Sequence, residues 1–420
     1  MYNRRDFLLA SAGLAGASVL PALTLAETSG SSEPFQRRNA PLDGVIPISD
    51  DERRERIGKA QRLMQENGID AVYMEGGTSM NYFTGVRWGN SERMFAAVIP
   101  QKGDLAWVVP AFEEQRAREL IKLGTDIRTW EEDESPYERV AQIFRDRGIR
   151  TGKIGIEERV RFFLYDGLRK VTTGLDYVSG DPITAGCRMI KSAHELALMQ
   201  KANDLTIEAY KVAFPKLKEG MTQYEFGGII SGAFQKQGVR GGALIGFGKF
   251  SAFPHGSITP QKVKEGDIIL VDGGCSVEGY SSDITRTFIF GKPSQRQKDV
   301  WALERKAQDA GLAAAKPGMP CEAVDAAARR VITDAGFGPG YKVPGLPHRT
   351  GHGIGMDGHE WPYLVKGNKL PMHPGMCFSD EPTISIYGEF GIRLEDCMYI
   401  TEDGARMFTK QSPAIDQPFG

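Results

Sequence analysis

Along the first half of the chain, apolar residues recur at helical spacing in some segments and at strand spacing in others. A polar segment from Asp51 to Asn67 carries an apolar stripe at helical spacing, and Ser49 or Asp50 before it is a typical N-cap residue. Helices are predicted there and at 80–83, 111–123, 136–147 and 161–172, and strands near 70–74, 94–99, 105–109, 126–129 and 153–157. Alternating helices and strands indicate a mixed sheet covered by helices.

The pattern changes around Asp181-Pro182. Two amphipathic helices are predicted, from Ser192 to Leu217 and from Thr222 to Gln237. They are followed by β-rich segments at 263–272 and 280–290 with a turn at 277–279, helices at 294–315 and 321–335, and strands near 375–378 and 392–401. We therefore predict a first domain over residues 49–180 and a second over residues 181–420.

The first residues differ from both domains. Arg4 and Arg5 precede Phe7 and a modest apolar run, and Thr24-Leu25-Ala26 offers a small-residue cleavage site. This stretch resembles a twin-arginine export signal; a short membrane anchor is the alternative, but the run is too short to span a bilayer comfortably. We predict a signal peptide over 1–26 for the twin-arginine export machinery, a linker over 27–48, no stable membrane insertion, and a periplasmic or extracellular location.

Composition narrows the class of protein. The 420 residues are 41% hydrophobic and 25% charged with a net charge of −2, which indicates a soluble globular chain and gives no sign of a nucleic-acid groove. The five cysteines are odd in number and not closely paired, which argues against a disulfide framework. We expect them to be small buried hydrophobic residues.

The second domain contains four acids and a histidine in glycine-rich segments. Asp272 ends the apolar run I-I-L-V, and an acid at the end of a buried run needs a partner. Asp283, His352, Glu381 and Glu395 follow in G-Y-S-S-D, T-G-H-G-I-G, S-D-E-P and I-R-L-E-D. A carboxylate on each of two paired strands points to the same face, so Asp272 with Asp283 and Glu381 with Glu395 form two candidate pairs.

Four converging carboxylates repel one another in a low-dielectric interior, and two divalent cations relieve that repulsion. One imidazole among oxygens suits Mn, Co, Fe or Zn better than Ca. A thiolate ligand from Cys275 or Cys397 is an alternative, although the oxygen and imidazole ligands already complete a site. Four of the six histidines, His255, His348, His352 and His359, fall in or near this stretch, which is a second sign of chemistry here.

These segments together resemble the metallopeptidase family with the pita-bread catalytic fold, which includes prolidase, aminopeptidase P and methionine aminopeptidase. The matching pieces are I-I-L-V-D-G-G, G-Y-S-S-D-I-T-R-T-F, T-G-H-G-I-G-M-D-G-H-E, P-G-M-C-F-S-D-E-P and F-G-I-R-L-E-D, in order and correctly spaced. N-Y-F-T-G resembles the N-terminal domain of prolidase, aminopeptidase P and creatinase. The resemblance implies an α/β fold: a creatinase/prolidase-like domain with a mixed sheet, followed by an α+β pita-bread catalytic domain.

The resemblance also implies roles. Asp272, Asp283, His352, Glu381 and Glu395 become ligands of two divalent metal ions, most readily manganese, with Asp283 and Glu395 bridging them. A hydroxide held between the ions attacks the scissile carbonyl, Glu381 handles its proton, and His359 stabilises the oxyanion. His255 contacts the leaving-group side of the substrate, while His348 and Arg393 position substrate or support the ligands. For Arg393, an internal salt bridge to a ligand carboxylate is the equal alternative.

The implied activity is hydrolysis of Xaa-Pro bonds by a dipeptidase or an aminopeptidase, on peptides with proline at the second position. One departure concerns Tyr363, a candidate substrate-binding residue that stands where many prolidases have the arginine gripping the dipeptide carboxylate; Lys366 or Lys369 are possible substitutes. Thr383 replaces the glycine of the usual E-P-G. A metal-dependent lyase or a hydrolase of a small non-peptide substrate is the alternative, and a silent binding module is a third. The resemblance further implies a homodimer, and the polar segment Trp88–Arg93 is either a solvated turn or a loop reaching a partner's active site.

Overall fold

The computed structural model describes residues 42–419; the predicted signal peptide (1–26) and the start of the predicted linker lie outside them. Within that range no helix is both long and apolar enough to cross a membrane. The first sheet has six strands in the order β4-β3-β2-β1-β5-β6. They are β1 (Ala71–Glu75), β2 (Ala96–Pro100), β3 (Ala106–Pro110), β4 (Asp126–Trp130), β5 (Gly152–Ile156) and β6 (Leu175–Ser179). Parallel and antiparallel pairs both occur, so the predicted mixed sheet is confirmed.

Six helices accompany this sheet: α1 (Asp50–Asn67), α2 (Thr78–Thr84), α3 (Glu114–Leu120), α4 (Pro136–Asp146), α5 (Phe162–Val171) and α6 (Asp181–Arg188). Helix α1 is capped at its start by Ser49, whose hydroxyl accepts from the Glu52 N–H in a capping box, and at its end by Gly68 in the left-handed region. Strand β1 is buried on both faces, because Val72 and Met74 belong to one apolar cluster and Ala71 and Tyr73 to another.

The second half of the chain begins with the helices α7 (Ala193–Ala213) and α8 (Gln223–Lys236). A four-stranded sheet follows, in which β8 lies between β7 and β10 and also pairs with β9. Its strands are β7 (Gly241–Phe247), β8 (Ile268–Val277), β9 (Tyr280–Ser281) and β10 (Ile284–Ile289). Ile269 and Val271 of β8 share a core with Tyr210 of α7 and Phe226 of α8, so the helix pair covers one face of this sheet.

A second helix pair, α9 (Gln295–Ala314) and α10 (Glu322–Asp334), precedes the remaining strands. A five-stranded sheet has the order β12-β11-β13-β16-β17, and β14 pairs with β15 alone. Their bounds are β11 (Gly351–Gly353), β12 (Glu360–Leu364), β13 (Cys377–Asp380), β14 (Thr383–Ile386), β15 (Phe390–Arg393), β16 (Asp396–Ile400) and β17 (Ala405–Met407). Trp301 of α9 packs with Ile384 and Ile392 of the two-stranded sheet.

Several sequence predictions were wrong in detail. The strand predicted at 263–272 begins only at Ile268, because Lys264 and Asp267 close a turn in which the Asp267 N–H donates to the Lys264 carbonyl at 3.1 Å. The strand predicted at 392–401 is two strands, interrupted where the Glu395 N–H donates to the Thr285 carbonyl at 3.2 Å instead of to a strand neighbour. The sequence pattern also misses β7, whose glycines weaken the strand signal.

The segment Trp88–Arg93 is a loop in which residues 89–92 are exposed, while Trp88 and Asn90 contact the first domain. The Trp88 ring stacks on Phe95 with centroids 4.0 Å apart, and Asn90 donates to the Gly76 carbonyl at 2.8 Å. Its contact with a partner subunit stays a prediction.

Candidate metal centre

Strand pairing brings the two pairs of acids together. Asp272 of β8 lies opposite Thr285 of β10, and Asp283 immediately precedes β10, two positions from Thr285 and so on the same face. Glu381 immediately follows β13 and Glu395 immediately precedes β16, in a register that places Asp380 opposite Asp396. Extending that ladder by one residue sets Glu381 against Glu395. The carboxylate pairs are therefore products of two antiparallel ladders.

The four acids and His352 form one cluster. Single ligand atoms of Asp272, Asp283 and Glu395 lie within 4.8 Å of one another, and so do those of His352, Glu381 and Glu395. The Nε2 atom of His352 is 3.1 Å from Glu381 Oε1 and 3.8 Å from Asp283 Oδ2. The structure thus brings together all five residues that the sequence nominates as ligands, from positions more than a hundred residues apart.

The ring of His352 is oriented for ligation. Its Nδ1 lies 3.0 Å from the Gly353 carbonyl, which can only accept, so Nδ1 carries a proton and Nε2 is the ring nitrogen that faces the acids. The His352 backbone N–H donates to Ser379 Oγ at 3.0 Å, and that hydroxyl donates to Glu381 Oε1 at 3.1 Å. Glu395 accepts from Thr285 Oγ1 at 2.5 Å. Each of these hydrogen bonds restrains one of the candidate ligand residues.

The charges of the cluster call for a cation. Burial and then repulsion from Asp272 raise the pKa of Asp283 to about 8, and burial with the Asp283 charge raises the pKa of Glu395. Against burial, the hydrogen bond from His352 holds the pKa of Glu381 below its usual range. Buried oxygens that repel one another, beside an imidazole nitrogen, are the donor set of a divalent ion with borderline character. The residues therefore fit two divalent metal ions. Neither Cys275 nor Cys397 belongs to a ligand cluster, since Cys275 Sγ donates to the Ala202 carbonyl and Cys397 Sγ to that of Asp283.

The predicted substrate residues sit around the same opening. A pocket of about 420 Å³ is lined by the five candidate ligands together with His255, His348, Arg349, His359, Val365 and Arg393. Arg393 is bonded to Asp272 through Nη2, which is the salt-bridge alternative raised for it, and donates from Nη1 to the Pro254 carbonyl at 3.0 Å. That second bond anchors the loop that carries His255.

The His359 ring stacks on His352 with centroids 3.7 Å apart. Burial, followed by repulsion from His352, lowers the pKa of His359 to about 4, so the ring is neutral near pH 7. His348 lies deeper: its Nε2 is 3.1 Å from Thr383 Oγ1, and burial lowers its pKa. The sequence places both rings in the site, and the structure agrees on their position while their roles remain predictions.

Tyr363, a predicted substrate-binding residue, does not line the pocket. Arg349 does line it, and this residue was not predicted from the sequence. The Arg349 guanidinium lies 3.9 Å above the Tyr363 ring centroid and 3.3 Å from His359 Nδ1. Neither suggested lysine replaces it, since Lys369 pairs with Glu322 and Lys366 lines a separate pocket with Glu322. The signal that could have found Arg349 is its place between His348 and His352 in P-H-R-T-G-H.

Comparison with known proteins gives two family matches. Residues 197–402 match "Metallopeptidase family M24" and residues 56–190 match "Creatinase/Prolidase N-terminal domain". The Xaa-Pro dipeptidase of Lactobacillus delbrueckii subsp. lactis is 32% identical over 372 residues, which cover 86% of this chain and 98% of the relative. The chain belongs to metallopeptidase family M24. A second relative of this M24 peptidase, the Xaa-Pro dipeptidase of Pyrococcus furiosus, is 29% identical and covers 85% of the chain and 98% of the relative.

Solved structures agree with the fold. The crystal structure of dipeptidase PepE from Mycobacterium ulcerans superposes with a TM-score of 0.81 at 31% identity, covering 87% of this chain and 97% of that one. The M24 peptidase thus consists of a creatinase/prolidase N-terminal domain and a pita-bread catalytic domain, and the fold expected from its motifs is confirmed. The family depends on divalent metal ions, in keeping with the acidic cluster.

Proposed function

We propose that this M24 peptidase hydrolyses the peptide bond that precedes a proline. The observation that carries the proposal is the complete set of five candidate ligand residues gathered in one pocket, in a chain that aligns over 85–86% of its length with relatives named Xaa-Pro dipeptidase. A bond before proline is a tertiary amide without an N–H, and its ring fixes the backbone, so general peptidases fit it poorly. A dedicated pocket is therefore expected for this substrate class.

The ligand residues would hold two divalent ions, which when bound supply an acidified water and polarise the scissile carbonyl. The chain's own groups supply the rest. Glu381 Oε1 accepts the proton of the attacking water, since its Ser379 contact holds it in the cluster. A guanidinium can only donate, so His359 Nδ1 accepts from Arg349 and its proton sits on Nε2. That N–H donates to the oxygen on which negative charge develops.

The test uses the purified chain stripped of metal and then reloaded with Mn²⁺. We expect hydrolysis of alanyl-proline by the reloaded protein, none by the stripped protein, and much slower hydrolysis of alanyl-alanine. The proposal would be overturned if neither alanyl-proline nor alanyl-prolyl-alanine were cleaved in the presence of any of the four ions Mn²⁺, Co²⁺, Zn²⁺ and Fe²⁺. Comparing the four metals at equal occupancy also tests our choice of manganese as the native ion.

We also propose export by the twin-arginine route and assembly as a homodimer. The first rests on Arg4 and Arg5 ahead of the apolar run. Replacing both with lysine should leave the protein in the cytosol, whereas the native chain should reach the periplasm. Light scattering on the purified protein tests the dimer, and a monomeric mass at micromolar concentration would contradict it.

A further inference from the structure

Two arginines line the pocket that contains the acidic cluster, and only one of them is already paired with a carboxylate of the protein. Arg393 is nearly buried and bonded to Asp272, to the Pro254 carbonyl at 3.0 Å and to Thr285 Oγ1 at 3.0 Å. All three nitrogen atoms of its guanidinium therefore bond to other groups of the protein. It supports the cluster, and its charge is already paired with Asp272.

Arg349 is in the opposite situation. It lines the same pocket and is partly exposed, and within residues 42–419 no carboxylate lies within ion-pair distance of it. Its neighbours are the Tyr363 ring, 3.9 Å below its central carbon, and His359 Nδ1 at 3.3 Å. Neither neighbour is a carboxylate, so its positive charge has no acidic partner, although the other side of the pocket is acidic.

The two neighbours also fix how the guanidinium is presented. Stacking on Tyr363 holds its plane against the aromatic face, and the His359 contact uses one edge. An arginine held in this way offers its remaining N–H groups as a fork, the geometry that binds a carboxylate through two parallel hydrogen bonds. The site is therefore built for a planar anion next to the oxyanion-binding ring.

The substrate class under the proposed function has one such anion. In an Xaa-Pro dipeptide the proline after the scissile bond ends in a free carboxylate, whereas in a longer peptide a neutral amide stands there. We propose that Arg349 binds the carboxylate of this C-terminal proline and so makes the enzyme selective for dipeptides. This inference rests on the proposed Xaa-Pro activity. It assigns to Arg349, supported by Tyr363, the cation that the sequence lacks at position 363.

The test compares three substrates that differ only at that end: alanyl-proline, alanyl-proline amide and alanyl-prolyl-alanine, with the manganese-loaded protein. We expect kcat/KM for the free acid to exceed that for the amide by roughly 10- to 100-fold, as a charge-assisted bidentate contact would give. Arg349→Gln loses its contact with His359 on every substrate, so the decisive quantity is the ratio of kcat/KM for the acid to that for the amide, which should fall by about the same factor, mainly through KM for the acid. Arg349→Lys keeps the charge but not the fork and should fall between the two.

Arg54→Gln is the matched control, because it removes the same charge from an exposed position on helix α1. It should change neither substrate by more than about 2-fold. Equal losses of Arg349→Gln on acid and amide would overturn the inference, since Arg349 would then act only through His359. Wild-type protein that cleaves acid and amide equally well would also overturn it, while the Xaa-Pro function would stand. Cleavage of none of the three substrates would overturn both this inference and the proposed Xaa-Pro function.

Discussion

The guanidinium of Arg286 and the carboxylate of Asp396 form an ion pair of 2.7 Å in which both side chains are 1% exposed. Arg286 also donates from Nη1 to the Glu395 carbonyl at 2.9 Å. It therefore holds the point where strand β16 begins, immediately after a candidate metal ligand. The positions of the candidate ligands in the acidic cluster therefore depend on this ion pair as well as on contacts among the ligands themselves.

Arg286→Met is expected to destabilise the protein by about 3–5 kcal/mol, because it leaves the Asp396 carboxylate buried without its partner. Urea unfolding of metal-free protein measures the change. The control is Arg296→Met, which breaks an equally short pair with Glu389 at 2.6 Å whose side chains are 54% and 46% exposed. That surface pair should contribute less than about 1 kcal/mol. Similar losses in the two variants would contradict the argument.

Arg286 also shows where sequence reasoning stops. The five candidate ligands could be nominated because acids follow apolar runs and glycine-rich motifs in a familiar order. Arg286 lies inside the strand segment I-T-R-T-F, where local pattern alone indicates a surface position. Its partner Asp396 is 110 residues away, and no periodicity connects them. Pairings between distant residues in a finished core are tertiary information.

The same limit explains Arg349 and the split strand. At position 363 the sequence shows only that the expected cation is missing, and the stacking of Arg349 on Tyr363 appears only once strands β11 and β12 pair. Likewise the segment 392–400 contains no glycine or proline that would mark the end of a strand. It breaks at Glu395 because that backbone bonds across to Thr285. Local propensity predicts the elements, whereas their interruptions come from neighbours that are distant in sequence.

Asp283→Ala should abolish turnover and metal binding while leaving the fold intact. In the metal-free state Asp283 is one of several carboxylates in repulsion, and burial with the Asp272 charge raises its pKa to about 8. Removing it relieves that repulsion, so the metal-free variant should be at least as stable as metal-free wild type. Metal analysis and thermal unfolding with and without Mn²⁺ measure both effects.

Wild-type protein is the reference for that experiment. A metal that binds only the native state raises the free energy of unfolding by mass action, so Mn²⁺ at 100 times its dissociation constant should add about 2.7 kcal/mol. The variant should show little of this gain. An Asp283→Ala protein that retains full activity, or gains the same stability from Mn²⁺, would show that Asp283 is not a ligand.

Glu304→Gln should remove a pH dependence of stability. Glu304 of α9 is fully buried, neither carboxyl oxygen has a hydrogen-bond partner within residues 42–419, and burial with the nearby Asp380 raises its pKa well above the ordinary value. Above about pH 4.5 the unfolded chain loses this proton while the folded chain keeps it. The folded state then binds more protons, so this group's contribution to stability is lost as pH rises toward the folded pKa.

The stability of the Gln variant relative to wild type should therefore increase between pH 5 and pH 8, by up to about 1.4 kcal/mol per pH unit. Urea unfolding at several pH values measures the difference. Glu66→Gln, on the exposed face of α1, serves as the control and should follow wild type at every pH. A difference between Glu304→Gln and wild type that is constant with pH would mean that Glu304 is ionised in the folded protein.

The segment that carries His359 is braced by buried charges from the junction of the two domains. Arg188 Nη2 lies 2.5 Å from Asp357 Oδ2 and 2.6 Å from Glu360 Oε2, and Lys191 Nζ is 2.6 Å from Glu360 Oε1. Glu360→Gln leaves Lys191 without its carboxylate partner and removes one of the two close carboxylates from Arg188, so the segment should shift. We expect kcat to fall about 10-fold or more because His359 loses its alignment, while metal content stays at the wild-type value because none of the five candidate ligands lies between 357 and 360.

Arg159→Gln is the matched control for this network. Arg159 also pairs with Asp357, at 3.0 Å, but its side chain is 52% exposed, so its loss should change kcat by less than about 2-fold. Parallel measurement of kcat and bound metal separates the possible causes. If Glu360→Gln lost metal in proportion to activity, the network would be holding the ligand His352 and not the orientation of His359. Loss of kcat at full metal occupancy would instead show that Arg188 and Lys191 align the oxyanion-binding ring from the domain junction.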